Sequence, residues 1–198
     1  MTVKTLMAPL IACAAALVAA AETPTMRNGG FEEGLSGWNG SASMALDETV
    51  SHDGRRSVRL TVADPKRDSV YVAQMVPVKG GAIYDASCFV KTEDVREAEG
   101  HKESVGAGLI VEWADANRKW LTSGKYACGV WGSTDWQRKE CKGLNAPDKA
   151  GYAIIYLALR ASGKAWFDDV SFSEVQVPTE KVAPTDGSSI SNNCPRFA

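Results

Sequence analysis

Apolar residues recur at every second position along most of this chain, the spacing of strands that bury one face and expose the other. In Tyr152-Ala153-Ile154-Ile155-Tyr156-Leu157-Ala158-Leu159-Arg160, the residues Ala153, Ile155, Leu157 and Leu159 share the core side, and Tyr152, Tyr156 and Arg160 lie opposite. An aromatic and cationic row is unusual for a face that merely meets water. The same parity in Leu109-Ile110-Val111-Glu112-Trp113 turns Leu109, Val111 and Trp113 inward and Glu112 outward. In Val70 to Val76 both sides are largely apolar, and alternation alone does not choose between them. Similar segments run from Met44 to Leu46, Ser57 to Val62, Ser69 to Val78, Ile83 to Thr92, Gly106 to Trp113, Trp136 to Leu144, Gly151 to Ala161 and Ala165 to Val175, separated by turn residues. Many short strands at this spacing predict an all-β fold, an antiparallel β-sandwich or barrel. Little reads as helix; the charged stretch from Glu93 to Ser104 fits a turn or two of helix or a solvated loop.

One strand carries a polar interruption. Lys164 to Phe172 is rich in aromatic and β-branched residues, yet it holds two adjacent carboxylates, Asp168 and Asp169. The expectation is that Asp168 points at a bound cation. Its matching ligand would come from Asn28-Gly29-Gly30-Phe31-Glu32-Glu33, a glycine turn at the other end of the chain. Alternation sends the two aspartates to opposite faces, so they cannot flank one glycosidic bond as a glycosidase requires. Glu112 has no evident partner, and His52 and His101 both fall in polar turn or loop segments. No serine elbow or phosphate loop occurs, so the chain is expected to be noncatalytic.

Composition adds the compartment. After Lys4, an apolar, alanine-rich run from Leu6 to Ala21 precedes the polar Glu22-Thr23-Pro24, the pattern of a secretory signal peptide cleaved after Ala21. The run is shorter than the ~20 apolar residues of a spanning helix, so no membrane span is expected. Cys13 stands too early for a lipoprotein box. The expected organisation is a signal peptide at 1–21, one domain at 22–177, and a Pro/Ser/Asn-rich flexible tail at 178–198. With 24 acidic and 22 basic residues the net charge is −2, which argues against nucleic acid or an anionic membrane as partner. Four cysteines, Cys88, Cys128, Cys141 and Cys194, remain after cleavage, and in a secreted chain they read as two disulfides with three connectivities. The short, turn-containing loop favours Cys128 with Cys141, leaving Cys88 with Cys194.

Several segments in order resemble a known family. Asn28-Gly29-Gly30-Phe31-Glu32 with Gly37-Trp38, then Ser51-His52-Asp53-Gly54-Arg55-Arg56-Ser57, Gln74-Met75-Val76-Pro77, Asp115-Ala116-Asn117, Thr134-Asp135-Trp136 and Trp166-Phe167-Asp168-Asp169-Val170 are similar to carbohydrate-binding modules of the family 4, 9 and 22 type. The resemblance implies a galactose-binding-domain-like jelly roll with a structural calcium ion and a glycan cleft on the concave face of one sheet. The implied calcium ligands are the Gly30 carbonyl, the Glu32 carboxylate, main-chain carbonyls near His52 and Arg55, and Asp168. Sugar rings pack their C–H faces on aromatic side chains and offer hydroxyls to planar donors and acceptors. On that chemistry Tyr156, Arg160, Glu112, Tyr71, Phe89 and Gln74 are the binding candidates. Trp38, Trp113, Trp136 and Trp166 are assigned to packing, and Trp120 either packs or extends the cleft rim. Unlike sugar-binding members, the chain shows no obvious outward tryptophan on the concave strands. The implied ligand is a poly- or oligosaccharide bound by a monomer, with an adhesion module on the same fold as the alternative and a small polysaccharide-degrading enzyme as a third reading.

Overall fold

The computed structural model describes residues 26–63, 70–97 and 105–176. Among them run ten strands: β1 (Asn39–Gly40), β2 (Met44–Asp47), β3 (Ser57–Val62), β4 (Val70–Pro77), β5 (Ile83–Arg96), β6 (Gly106–Asp115), β7 (Trp120–Val130), β8 (Gly132–Asn145), β9 (Ala150–Arg160) and β10 (Ser162–Glu174). They form two five-stranded sheets, a front sheet in the order β1-β4-β9-β6-β7 and a back sheet in the order β2-β3-β10-β5-β8. Every pairing is antiparallel. This is the expected β-sandwich jelly roll.

Alternation dictates the core. Leu109 and Val111 on β6, and Ile155, Leu157 and Leu159 on β9, are fully buried from the front. Val58 and Leu60 on β3, Val90 on β5, and Ala165 and Phe167 on β10 meet them from the back. A buried Tyr84 stacks on Phe172 at 4.9 Å, and its phenolic oxygen accepts from the Lys79 amide at 2.7 Å. Core aromatics with polar tips are tolerated when the tip finds such a partner.

The structure departs from the sequence reading at four places. The stretch 120–130, absent from the expected strands, is the edge strand β7; it is polar and glycine-containing, which weakens the alternating signal. Strand β5 runs on to Arg96 through an irregularity at Asp94, which has φ 54°, so residues 93–96 belong to a strand and not to a helix. Gln74 belongs to the inward row of β4 with Val72 and Val76, whereas Tyr71 and Met75 face out. The cysteines are the fourth. Cys88, Cys128 and Cys141 are free thiols, and Cys194 lies outside the described residues together with Cys13, His101, the signal segment and the tail.

The expected Cys128–Cys141 bridge is not formed, and the loop it was read from is not a hairpin. The one residue between β7 and β8, Trp131, carries the chain from the front sheet to the back sheet instead of closing a hairpin. Gly129 and Gly132, at φ 92° and 71°, give this crossover the left-handed backbone it needs. Cys141 enters the core from the back sheet beside Cys88, and Cys128, on the front edge strand, lies within electrostatic range of both. Burial pushes the thiol pKa of Cys88 far up and that of Cys128 up to about 11, so both stay protonated and inert.

Candidate functional site

Strand register assembles the outward face of the front sheet. Tyr71 on β4 lies opposite Ala158 on β9, Ala73 opposite Tyr156, Met75 opposite Ile154 and Pro77 opposite Tyr152. Across the other side of β9, Gly108, Ile110, Glu112 and Ala114 of β6 pair with Ala158, Tyr156, Ile154 and Tyr152. Tyr71 and Tyr152 therefore face small neighbours across the ladder, and Tyr156 and Tyr126 flank Ile110. Tyr71 and Tyr156 meet edge to face with centroids 5.5 Å apart. At the edge, β7 places Tyr126 beside Ile110 and Trp120 beside Ala114. Together these residues line an open cleft of about 940 Å³ and an adjoining depression of about 140 Å³.

Glu112 organises the edge. Its Oε1 accepts the Tyr126 hydroxyl at 2.7 Å, and its Oε2 accepts the Trp120 indole N–H at 3.0 Å. One carboxylate thus holds two rings that are otherwise solvated, Trp120 being 55% exposed and Tyr126 46%. A hydrogen bond with Ser123 pulls the Tyr126 phenol pKa down, but the bond to Glu112, burial and the Glu112 charge outweigh it. Burial, then the Glu112 charge, raises that of Tyr156. Both phenols stay protonated and able to donate.

Of the six binding candidates, Tyr71, Tyr156, Glu112 and Arg160 line the smaller depression together. Gln74 borders the larger cleft but spends both amide atoms on the backbone of Arg27, at 2.8 and 2.9 Å. Phe89 lies on β5 of the back sheet, stacked under His52 at 3.6 Å, away from this face. Sequence reading missed Tyr126 and left Trp120 undecided. Bulges in the β6–β7 ladder shift the parity, so counting along residues 120–130 does not predict which face they join. Trp120 is the outward tryptophan that the sequence did not show.

A second constellation closes the other end. The turn from Asn28 docks on the last strand, where the Val170 amide donates to the Gly29 carbonyl at 3.0 Å. A Cβ on Gly29 would lie 2.0 Å from the Val170 carbonyl oxygen, so only glycine allows this approach. Glu32 Oε1 accepts from the amides of Arg55 and Arg56 at 2.7 and 3.0 Å, and Asp168 Oδ2 from those of His52 and Asp53 at 2.8 and 3.3 Å. The loop 51–56 is thereby pinned between both ends of the chain.

The two aspartates do not diverge as alternation implies. Asp169 has φ 47° and sits in a register shift between Asp168 and Ser171. Its Oδ1 and that of Asp168 come within 3.8 and 3.9 Å of the position a Cβ on Gly30 would take. Asp169 also meets His52 Nδ1 at 2.5 Å. Burial, opposed by three backbone hydrogen bonds and helped by the Asp169 charge, raises the Asp168 carboxyl to about 6. A buried carboxylate beside a second one is an anionic setting whose chemistry fits a hard dication. Among the described residues no group of three or more His, Cys, Asp or Glu side chains gathers, so carbonyls would have to supply the remaining ligands. Asp168 has both oxygens bonded to amides, Oδ1 to that of Asp169 at 2.8 Å and Oδ2 to those of His52 and Asp53, and Glu32 has one oxygen committed to two.

No family model matches the sequence. Among curated proteins the chain is similar to the tRNA nuclease WapA of Bacillus subtilis, 24% identical over 176 residues that cover 79% of this chain. It spans only 7% of that protein's length. Among solved structures it resembles a family 16 carbohydrate-binding module, with TM-score 0.55 and 20% identity over 74% of this chain and 97% of the module. It resembles equally the xylan-binding CBM22-1 domain of Paenibacillus barcinonensis Xyn10C, with TM-score 0.53 and 17% identity over 80% and 99% of the two chains. The enzymatically active domain of tailspike protein 4 from bacteriophage CBA120 superposes with TM-score 0.60 and 14% identity over 77% of this chain and 22% of that one. The chain thus has the jelly-roll fold that carbohydrate-binding modules share.

Proposed function

We propose that this chain is a secreted, noncatalytic carbohydrate-binding module that holds a poly- or oligosaccharide on the outward face of its front sheet. The observation that carries the reading is the row of open rings, Trp120 and Tyr126 held by Glu112 beside the Tyr71–Tyr156 pair. Solvated aromatic rings with polar groups between them are what sugar faces and hydroxyls recognise. The carbohydrate-binding modules among its structural neighbours share the fold. The noncatalytic part rests on the cleft lining. Among the described residues Glu112 is the one carboxylate at the two depressions, and both its oxygens are engaged, whereas glycoside hydrolysis needs two carboxylates. Secretion rests on the signal-like leader.

The structural calcium belongs to the same proposal. Asp168 and the Gly30 carbonyl would hold it, and its charge would neutralise the Asp168–Asp169 pair and fasten the first turn to β10. A glycan array backed by affinity electrophoresis tests the function, with Tyr156→Ala and Trp120→Ala as variants. Retention by wild type that both variants lose is the expected result. Retention by neither wild type nor variants, or release of reducing sugar, would overturn it.

A further inference from the structure

The larger cleft is lined by Arg27 and Arg118 and, among the described residues, by no carboxylate. Five other arginines sit against acids: Arg55 with Glu32, Arg56 with Glu48, Arg59 with Asp47, Arg96 with Asp94 and Arg138 with Glu140. Arg27 and Arg118 have no acidic partner among the described residues, on a chain whose net charge is −2. Two uncompensated cations bordering one aromatic-lined cleft call for an anion.

Both are anchored at their roots. Arg118 holds φ 64° in the β6–β7 turn, its amide donates to the Asp115 carbonyl at 2.9 Å, and its guanidinium lies 5.4 Å from the centre of the Tyr152 ring. Stacking of this kind fixes the guanidinium plane and leaves its N–H edge for an acceptor. Arg27 is held through its backbone, whose N–H and carbonyl are both bonded by the Gln74 amide. That accounts for a glutamine in an otherwise apolar inward row: it fixes where Arg27 stands.

We propose that the glycan taken by this cleft carries oxyanions, as uronate carboxylates or sulfate esters, and that Arg27 and Arg118 recognise them. The inference rests on the carbohydrate-binding reading and narrows it. Guanidinium groups form paired, charge-assisted hydrogen bonds with such groups, and the net negative charge of the rest of the chain confines a polyanion to this place.

The test measures binding to polygalacturonate and its carboxyl-reduced form, and to a sulfated galactan and its desulfated form. The acidic member of one pair is expected to bind about tenfold tighter or more, as one charge-assisted hydrogen bond provides. The pair that shows the difference identifies carboxylate or sulfate as the recognised group. Added salt should shrink the preference, and Arg118→Gln and Arg27→Gln should each reduce the ratio of acidic to neutral binding. Equal or weaker binding of both acidic forms overturns the inference and leaves carbohydrate binding standing. So does a preference that survives both arginine substitutions. Retention of none of the four polymers overturns it alone if neutral glycans are retained on the array, and overturns both readings if they are not.

Discussion

The two outward faces of this sandwich grow from the same alternation and end in opposite states. On the back sheet Asp47 and Trp166 are 6% and 5% exposed and Asp168 is fully buried, whereas on the front sheet Tyr71, Tyr126 and Trp120 stand open to solvent. Polar groups behind are saturated; rings in front are free for a ligand. The back face makes a second contrast within itself. Asp47 accepts from the Thr49 amide and hydroxyl, the Val50 amide, Arg59 Nη1 and Trp166 Nε1, all between 2.7 and 3.2 Å. Burial pushes its pKa up, but the bonds from Trp166, Thr49 and Val50 outweigh that and bring it to about 2. Asp168, more deeply buried, has three amides and a carboxylate neighbour, and moves up to about 6. The balance between burial and the donors sets the sign.

Removing the saturated carboxylate should break the back face most severely. Asp47→Ala leaves Arg59 and the Trp166 indole without their acceptor and is expected to cost about 3–5 kcal/mol of stability in urea unfolding. Glycan affinity of the folded fraction should be unchanged. Next comes the ion: if calcium compensates the Asp168–Asp169 pair, saturating it about 100-fold above Kd should add about 2.7 kcal/mol, seen as a rise in Tm that chelator reverses. Asp168→Asn should abolish that response, and a wild-type Tm indifferent to chelator would remove the ion from the account.

The pH dependence of Asp47 is of similar size. Its folded pKa is depressed, so its stabilisation is present above the unfolded value near 4 and is lost as pH falls from about 4 to about 2, about 2.5 kcal/mol in all. A stability profile of wild type against Asp47→Asn over that range should converge at the acid end. On the front face the effects move from stability to binding. Trp120→Ala should lower glycan affinity by about 1–3 kcal/mol, with stability changed by no more than about 0.5 kcal/mol because the ring is largely solvated. The smallest effect is expected for Glu112→Gln, which replaces one of two acceptor oxygens by a donor and should weaken binding by about 1 kcal/mol through looser placement of Trp120 or Tyr126.

Much of the fold was readable along the chain. On β9 and β6 the inward row is continuous and apolar, so parity told which side Leu109, Val111, Ile155 and Leu157 would take, and by subtraction where Glu112, Tyr156 and Arg160 would emerge. β7 was not readable, because an edge strand needs only one neighbour and its Gly124, Thr122 and Ser123 carry no apolar period. The row that Gln74 joins was not readable because a glutamine in the inward row looks like an outward one until its partner, 47 residues away, is known. Phe89 was misread because a strand's pattern does not say to which sheet it belongs.

What the sequence by itself determined is the class of fold and the composition of each strand face, since alternation and turn residues act over a few neighbouring positions. What only the tertiary structure decided is which faces meet. The one-residue crossover at Trp131 keeps Cys128 and Cys141 on different sheets, the bulge at Asp169 brings two carboxylates to one glycine, and register across β6 and β7 gives Glu112 its two rings. Each depends on pairings between residues far apart or on a break in alternation, and local pattern carries no record of either.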